Sequence, residues 1–294
     1  MLFHIVKGRI QVSQMDKITQ NKFKRIAVIA SLVPGVLGGL FLFLAVRKDF
    51  DSGIGHFAEG SVLFGCFAAC LAAAVIAAAV TAVWAGKNRY LPCEGETAGI
   101  LRIFTAYSAA LIAAVLLGTG VWDRLRMESG SLPGLIELIL LPGIAVYFIL
   151  AVSQNGRWGK ARAVSGIASC LSVNFMLFSG YFDFTLPLNS PVRNALTIME
   201  AALLLFFLSE TRTVLGKNTP AFSCFASCTA ISLMGGIGAG LFLVTVFAAD
   251  RVPAGLSVPQ AALCILAAAY AAFTFLSGHA SEVIPETDTN QSKR

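Results

Sequence analysis

Charge is the scarcest property of this chain, and long stretches hold none of it. Of 294 residues only 13% are charged, against 56% hydrophobic, and the mean hydropathy is +0.76. A soluble domain carries about 25% charged residues, so this composition cannot build a water-facing surface. Histidine is absent from the apolar runs: His4, His56 and His279 all fall outside them, which excludes a bis-histidine haem at membrane depth. Aspartate is absent from them too, which removes an intramembrane aspartyl pair. The HExxH, GxSxG and Walker A patterns do not occur. No cleavable leader is expected, because the first apolar run is too long for a signal-peptide core and no small-residue cleavage site follows it.

What the chain does have is a series of runs of about 20 apolar residues. They lie at Ile26–Val46, Ser61–Ala85, Leu101–Val121, Pro133–Ser153, Ala163–Phe182, Asn194–Val214, Ala221–Ala248 and Pro259–Gly278. Backbone N–H and C=O groups find no water in hydrocarbon, so each spanning run must be a helix or part of a closed barrel. These runs are uniformly apolar and not alternating, which selects helices. The expected fold is therefore an all-α polytopic transmembrane bundle of about eight helices. Residues 1–25 form a basic cytoplasmic segment that can lie along anionic headgroups, 26–278 the bundle, and 279–294 a disordered polar cytoplasmic tail.

Orientation follows from the basic residues. With the N-terminus inside, 16 of the 22 Lys and Arg fall on the inner side, among them Lys22, Lys24, Arg25, Lys87, Arg102, Arg162 and Lys217. Arg47, Lys48, Arg124, Arg126, Arg193 and Arg251 fall outside. Both termini are then cytoplasmic. Trp84, Trp122, Trp158 and Tyr181 stand at span ends, where an aromatic belt places them. The formal charge of +6 is spread over alternate loops and forms no stripe, so nucleic acid is excluded as a partner.

Two acids lie well inside the runs, Glu137 and Glu200. An ionisable group at that depth costs a few kcal/mol or more and faces a cavity or a partner. Glu137 is expected about one turn below the outer surface, Glu200 about two turns, and Asn174 near the midplane. Arg193 stands two turns before Glu200 on the same helical face and can snorkel toward it; Thr197 and Asn174 are further candidate partners. Together, Glu200, Glu137, Asn174 and Arg193 form a candidate transport cluster. The alternative is a neutral, hydrogen-bonded glutamate that only fixes helix packing. Pro34-Gly35 and Pro142-Gly143 are expected to break the first and fourth spans, freeing the carbonyls of Ala30 and Leu138, the latter next to Glu137. Such breaks coordinate ions in transporters and elsewhere are packing kinks.

Gly236 and Gly240 form a GxxxG face in the seventh span, and Gly35, Gly38 and Gly39 a similar smooth patch in the first, both suited to close helix packing. Phe64-Gly65-Cys66-Phe67-Ala68-Ala69-Cys70 is echoed by Phe222-Ser223-Cys224-Phe225-Ala226-Ser227-Cys228, as an inverted repeat or as chance within similar helices. The two cysteine pairs are expected at opposite depths, so no metal site and no cofactor is expected.

The stretch from Tyr181 through Pro187-Leu188-Asn189-Ser190-Pro191 to Glu200, then Ser209-Glu210-Thr211-Arg212 and Leu215-Gly216-Lys217, resembles uncharacterised multi-pass membrane proteins of Gram-positive anaerobic bacteria. The resemblance covers about 40 residues and implies a bacterial inner membrane and no particular activity. Three functional readings follow. The first is a non-catalytic membrane component, such as an assembly, sensor or envelope factor. The second is a small-molecule or ion transporter built on Glu200 and the broken helices, and the third an intramembrane enzyme. The partners are the lipid bilayer and, on the first reading, other membrane subunits or further copies of the chain.

Overall fold

The computed structural model describes residues 17–88, 90, 99–126, 132–153, 158–181, 190–251 and 257–277. Eight stretches are long and apolar enough to cross a membrane: Asn21–Asp49, Val62–Lys87, Ile100–Trp122, Leu135–Val152, Gly159–Tyr181, Pro191–Val214, Pro220–Phe247 and Val258–Ser277. Each coincides with one of the apolar runs, with ends displaced by no more than a few residues. The chain is an all-α, eight-span membrane bundle. The basic segment and the tail fall largely outside the described residues.

We number the helices α1 (Lys17–Asp49), α2 (Val62–Lys87), α3 (Ile100–Arg126), α4 (Leu132–Leu140), α5 (Pro142–Val152), α6 (Gly159–Tyr181), α7 (Pro191–Val214), α8 (Pro220–Thr229), α9 (Gly235–Phe247) and α10 (Val258–Ser277). A π-helical segment, Ala230–Met234, joins α8 to α9 within one span. α7, α8–α9 and α10 form the centre, with 56%, 61% and 56% of their apolar windows buried, whereas α2 has 17% and lies outermost. Ile76, Val80, Leu111, Ile139 and Val164 point outward and are exposed, as residues facing lipid tails would be.

α1 begins at Lys17, so the end of the basic segment forms its first turns. It also runs unbroken through Pro34, which corrects the expected break at Pro34-Gly35. The reason is packing. A side chain on Gly35 would lie 2.7 Å from the Ser232 carbonyl oxygen, and Gly39 meets Gly236 and Gly240 backbone to backbone. The helix stays continuous against a neighbour at van der Waals distance of its main chain. The fourth span does divide: α4 ends at Leu140 and Pro142 opens α5. Leu141 between them keeps helical angles (φ −55°, ψ −37°) and its N–H still reaches the Glu137 carbonyl at 2.9 Å. The break therefore interrupts the helix at one residue without unwinding it. Gly143 there lets α5 approach α6, since its Cβ would stand 2.7 Å from that of Ala168.

The two ends of the bundle differ. At one, Phe23 of α1 stacks on Trp84 of α2 at 3.6 Å and meets Phe275 of α10; this is the termini end. At the other, the link from α1 to α2 folds into a hairpin, β1 (Phe50–Asp51) against β2 (His56–Phe57). The hairpin packs Phe57 between Phe50 and Phe64. Its backbone is held by others: Ser190 donates to the Gly55 carbonyl at 2.7 Å and Arg251 to that of Phe50 at 3.2 Å. That strap ties the start of α7 and the end of α9 to the first two spans.

Candidate functional site

α7 carries the site. Pro191 sits in its first turn, where the missing N–H is no loss. Two residues on comes Arg193, only 7% exposed. Its Nη2 donates to the Gly180 carbonyl at 2.6 Å and to that of Tyr181, and its guanidinium lies 6.0 Å from the Tyr181 ring centre. Those carbonyls close α6 and have no partner within their own helix; the negative end of the helix dipole adds to the attraction. Arg193 thus caps α6, a partner the sequence did not suggest for it.

Glu200 lies two turns deeper on the same face and is 8% exposed. Its Oε1 accepts from Nε2 of Gln260 at 2.5 Å. Gln260 stands in the first turn of α10, so the bond crosses between two central spans. Oε2 lies beside Gly180, where a Cβ would be 3.8 Å away. Glu137, half-buried in α4, is close enough for its charge to act on Glu200. The structure therefore gathers Glu200, Glu137, Gln260 and the Arg193-capped end of α6 on the hairpin side of the membrane. The other expected partners do not bond to Glu200 among the described residues. Thr197 donates to the Arg193 carbonyl at 3.0 Å. Asn174, half-buried on α6, makes no hydrogen bond to Glu200 among the described residues.

A second polar cluster, which the sequence reading did not single out, lies toward the termini end. Arg162 of α6 and Glu210 of α7 pair at 3.2 Å, their side chains 12% and 15% exposed. Tyr147 of α5 donates to the same carboxylate oxygen at 2.8 Å, and Arg162 reaches the Tyr147 hydroxyl at 3.2 Å. The guanidinium also lies 5.4 Å from the Tyr147 ring centre. Ten residues of α7, about 15 Å, separate Glu210 from Glu200. An aromatic layer fills that interval. Phe206 and Phe207 pack with Phe148 and Tyr147, and Tyr270 of α10 lies edge-on to Phe148 at 5.5 Å. No continuous polar path joins the two clusters through these side chains.

The remaining expected sites are structural in setting. Gly236 and Gly240 face Gly35 and Gly39 of α1, and the contact is between main chains. Beside it, Ser232 in the π-helical segment donates its hydroxyl to the Cys228 carbonyl at 2.8 Å, competing for a backbone acceptor where the ladder widens. Cys66 and Cys70 are half-buried in α2, and Cys224 and Cys228 are buried in α8, which packs against α2. No family model matches the chain, and no curated protein or solved structure is significantly similar to it.

Chemically, the Glu200 cluster is a carboxylate with an uncharged donor and a second carboxylate nearby. Two such groups cannot both hold a negative charge in a low-dielectric interior without a counter-charge.

Proposed function

We propose that this chain is a membrane transporter that takes up a proton or small cation at Glu200, with Glu137 and Gln260 completing the site. The observation that supports this most is the arrangement of the acids. Glu200 is buried, its one hydrogen-bond donor among the described residues is the neutral Gln260, and a second carboxylate comes from a separate element. A carboxylate placed so exchanges its counter-charge when water reaches it from one side. The closed aromatic layer below supplies a barrier, as alternating access requires. The resemblance of the 181–217 stretch supports a bacterial cell membrane as the location.

Carbodiimide labelling tests the reading. Dicyclohexylcarbodiimide enters bilayers and modifies carboxyl groups that are protonated there. The full chain in proteoliposomes should be labelled at Glu200, and sodium or potassium ions, or raised pH, should protect it. Glu200→Gln should fold normally and abolish both the label and any cation-driven pH change inside the vesicles. Labelling that no cation and no pH alters would mean a permanently neutral glutamate and end the proposal.

A second reading has its own support. The main-chain contact of α1 with α9 and the closed aromatic layer describe a rigid body, as suits a non-catalytic component that holds other membrane subunits or a second copy. Wild-type behaviour of Glu200→Gln together with stable co-purifying subunits would favour it.

A further inference from the structure

We propose that Arg102, with the backbone N–H groups that open α3, binds a phosphate group at the termini end of the bundle. Arg102 is 5% exposed, and its Nε and Nη1 are fully buried without a hydrogen-bond partner. A buried guanidinium left unpaired is costly, and native interiors satisfy such groups with an ion, a ligand or water. The residue stands in the first turn of a 27-residue helix. The ladder there begins with the Ile103 N–H bonded to the Gly99 carbonyl, so the N–H groups of Ile100, Leu101 and Arg102 precede it. Helix N-termini attract anions through those groups and the dipole. Side chains lean toward the N-terminus of their helix, so the guanidinium reaches back toward the same groups.

Among the described residues, the helix ends around Arg102 carry no competing carboxylate. The first turn of α3 and the last turns of α5 and α10, against which α3 packs most, hold no acid. One further group awaits a partner at this end. Thr274, in the last turns of α10, keeps a buried hydroxyl without a hydrogen bond, whereas Thr105 and Thr229 bond to carbonyls of their own helices. Phosphate fits this set best among anions. The planar guanidinium matches two of its oxygens, and the first turn of a span lies at the depth of lipid headgroups. The phosphate comes from a phospholipid or from solution. The inference is independent of the Glu200 site.

The test uses the full chain, delipidated in a neutral detergent. Melting temperature and native mass spectrometry are followed on adding phosphatidylglycerol, phosphatidylcholine or inorganic phosphate. Wild type should gain stability and retain one phosphate-bearing molecule, Arg102→Lys should bind about tenfold more weakly, and Arg102→Met should gain nothing. A response to phosphatidylglycerol alone identifies a lipid headgroup; a response to inorganic phosphate identifies the free anion. Without ligand, Arg102→Met should melt no lower than wild type, because it removes an unpaired charge. The proposal fails if both chains respond equally to phosphate or neither responds. It fails also if Arg102→Met and E94Q/E96Q, in the segment before α3, each lower the melting temperature without ligand, which would give the guanidinium to those carboxylates.

Discussion

Two glutamates on one helix, ten residues apart, are neutralised in different ways. Glu210 faces a full positive charge and a phenol. Glu200 faces an amide. Arg162 makes the first pair electrically complete, so nothing needs to enter or leave it. Glu200 itself has only a neutral donor among the described residues, and on the proposed function a proton or small cation supplies the charge. Arg193 is near Gly180 as Glu200 is, and the hydrogen bonds described for it go to the end of α6. Residue type alone therefore does not mark a functional acid in a membrane. The charge of its partner does.

The largest effect that would sharpen this contrast is at the complete pair. Arg162→Leu leaves Glu210 buried without its cation, which costs about 3–5 kcal/mol. Thermal unfolding in detergent should show most of the folded protein lost. Adding Glu210→Leu should restore much of that, because the paired loss removes both charges. A single variant that melts like wild type would show that the pair is not a structural fixture.

At the other site the expected cost is smaller. Glu200→Leu strands the Gln260 amide and should destabilise by about 1–3 kcal/mol. Glu200→Gln, which keeps shape and hydrogen bonding, should stay within about 1 kcal/mol of wild type. The two substitutions together separate folding from charge. Equal loss of stability in both would break the comparison, since Glu200 would then be holding the fold by its charge.

A double-mutant cycle measures the contrast directly. Glu200→Ala with Gln260→Ala should give a coupling of about 1 kcal/mol, while Arg162→Ala with Glu210→Ala should give about 2–3 kcal/mol. Reversed order would mean that the amide bond, not the ion pair, anchors α7. The smallest expected effect is at Gly180→Ala. The added methyl meets Glu200 Oε2 at ordinary contact distance, 3.8 Å. Stability should change by less than about 1 kcal/mol, and any loss of cation response would then report on space beside the carboxylate alone.

The spans were legible because bilayer thickness imposes a length that composition cannot disguise. Glu200 and Arg193 were legible as unusual residues, but their partners were not. Gln260 lies two spans away from Glu200 in sequence, and polar residues at the first turn of a span are ordinary there. Arg162–Glu210, by contrast, was available. α6 and α7 form an antiparallel hairpin, and the contact of Arg193 with Gly180 fixes its register. Counting back from it along both helices brings Arg162 level with Glu210, where each had been read as a loop or span-end charge. Pro34 misled for a related reason. A proline weakens a helix locally, but the neighbour packed against α1 there is far away in sequence.

The π-helical segment carries a consequence for how this chain can change over time. One extra residue in a turn acts as an insertion that a helix has absorbed without a loop. Each residue of an α-helix turns the following face by 100°. Forcing Ala230–Met234 into regular α-helix with every residue kept would rotate α9 by about that angle. Gly236 and Gly240 would swing away from α1, and bulkier neighbours such as Ile237 or Leu241 would be turned toward a surface that admits only hydrogen atoms. The span would still be long and apolar enough to insert. The wide turn thus keeps the glycine face in register at a place where a hydropathy profile shows nothing unusual, and deleting one residue there should restore a regular helix with the same face toward α1.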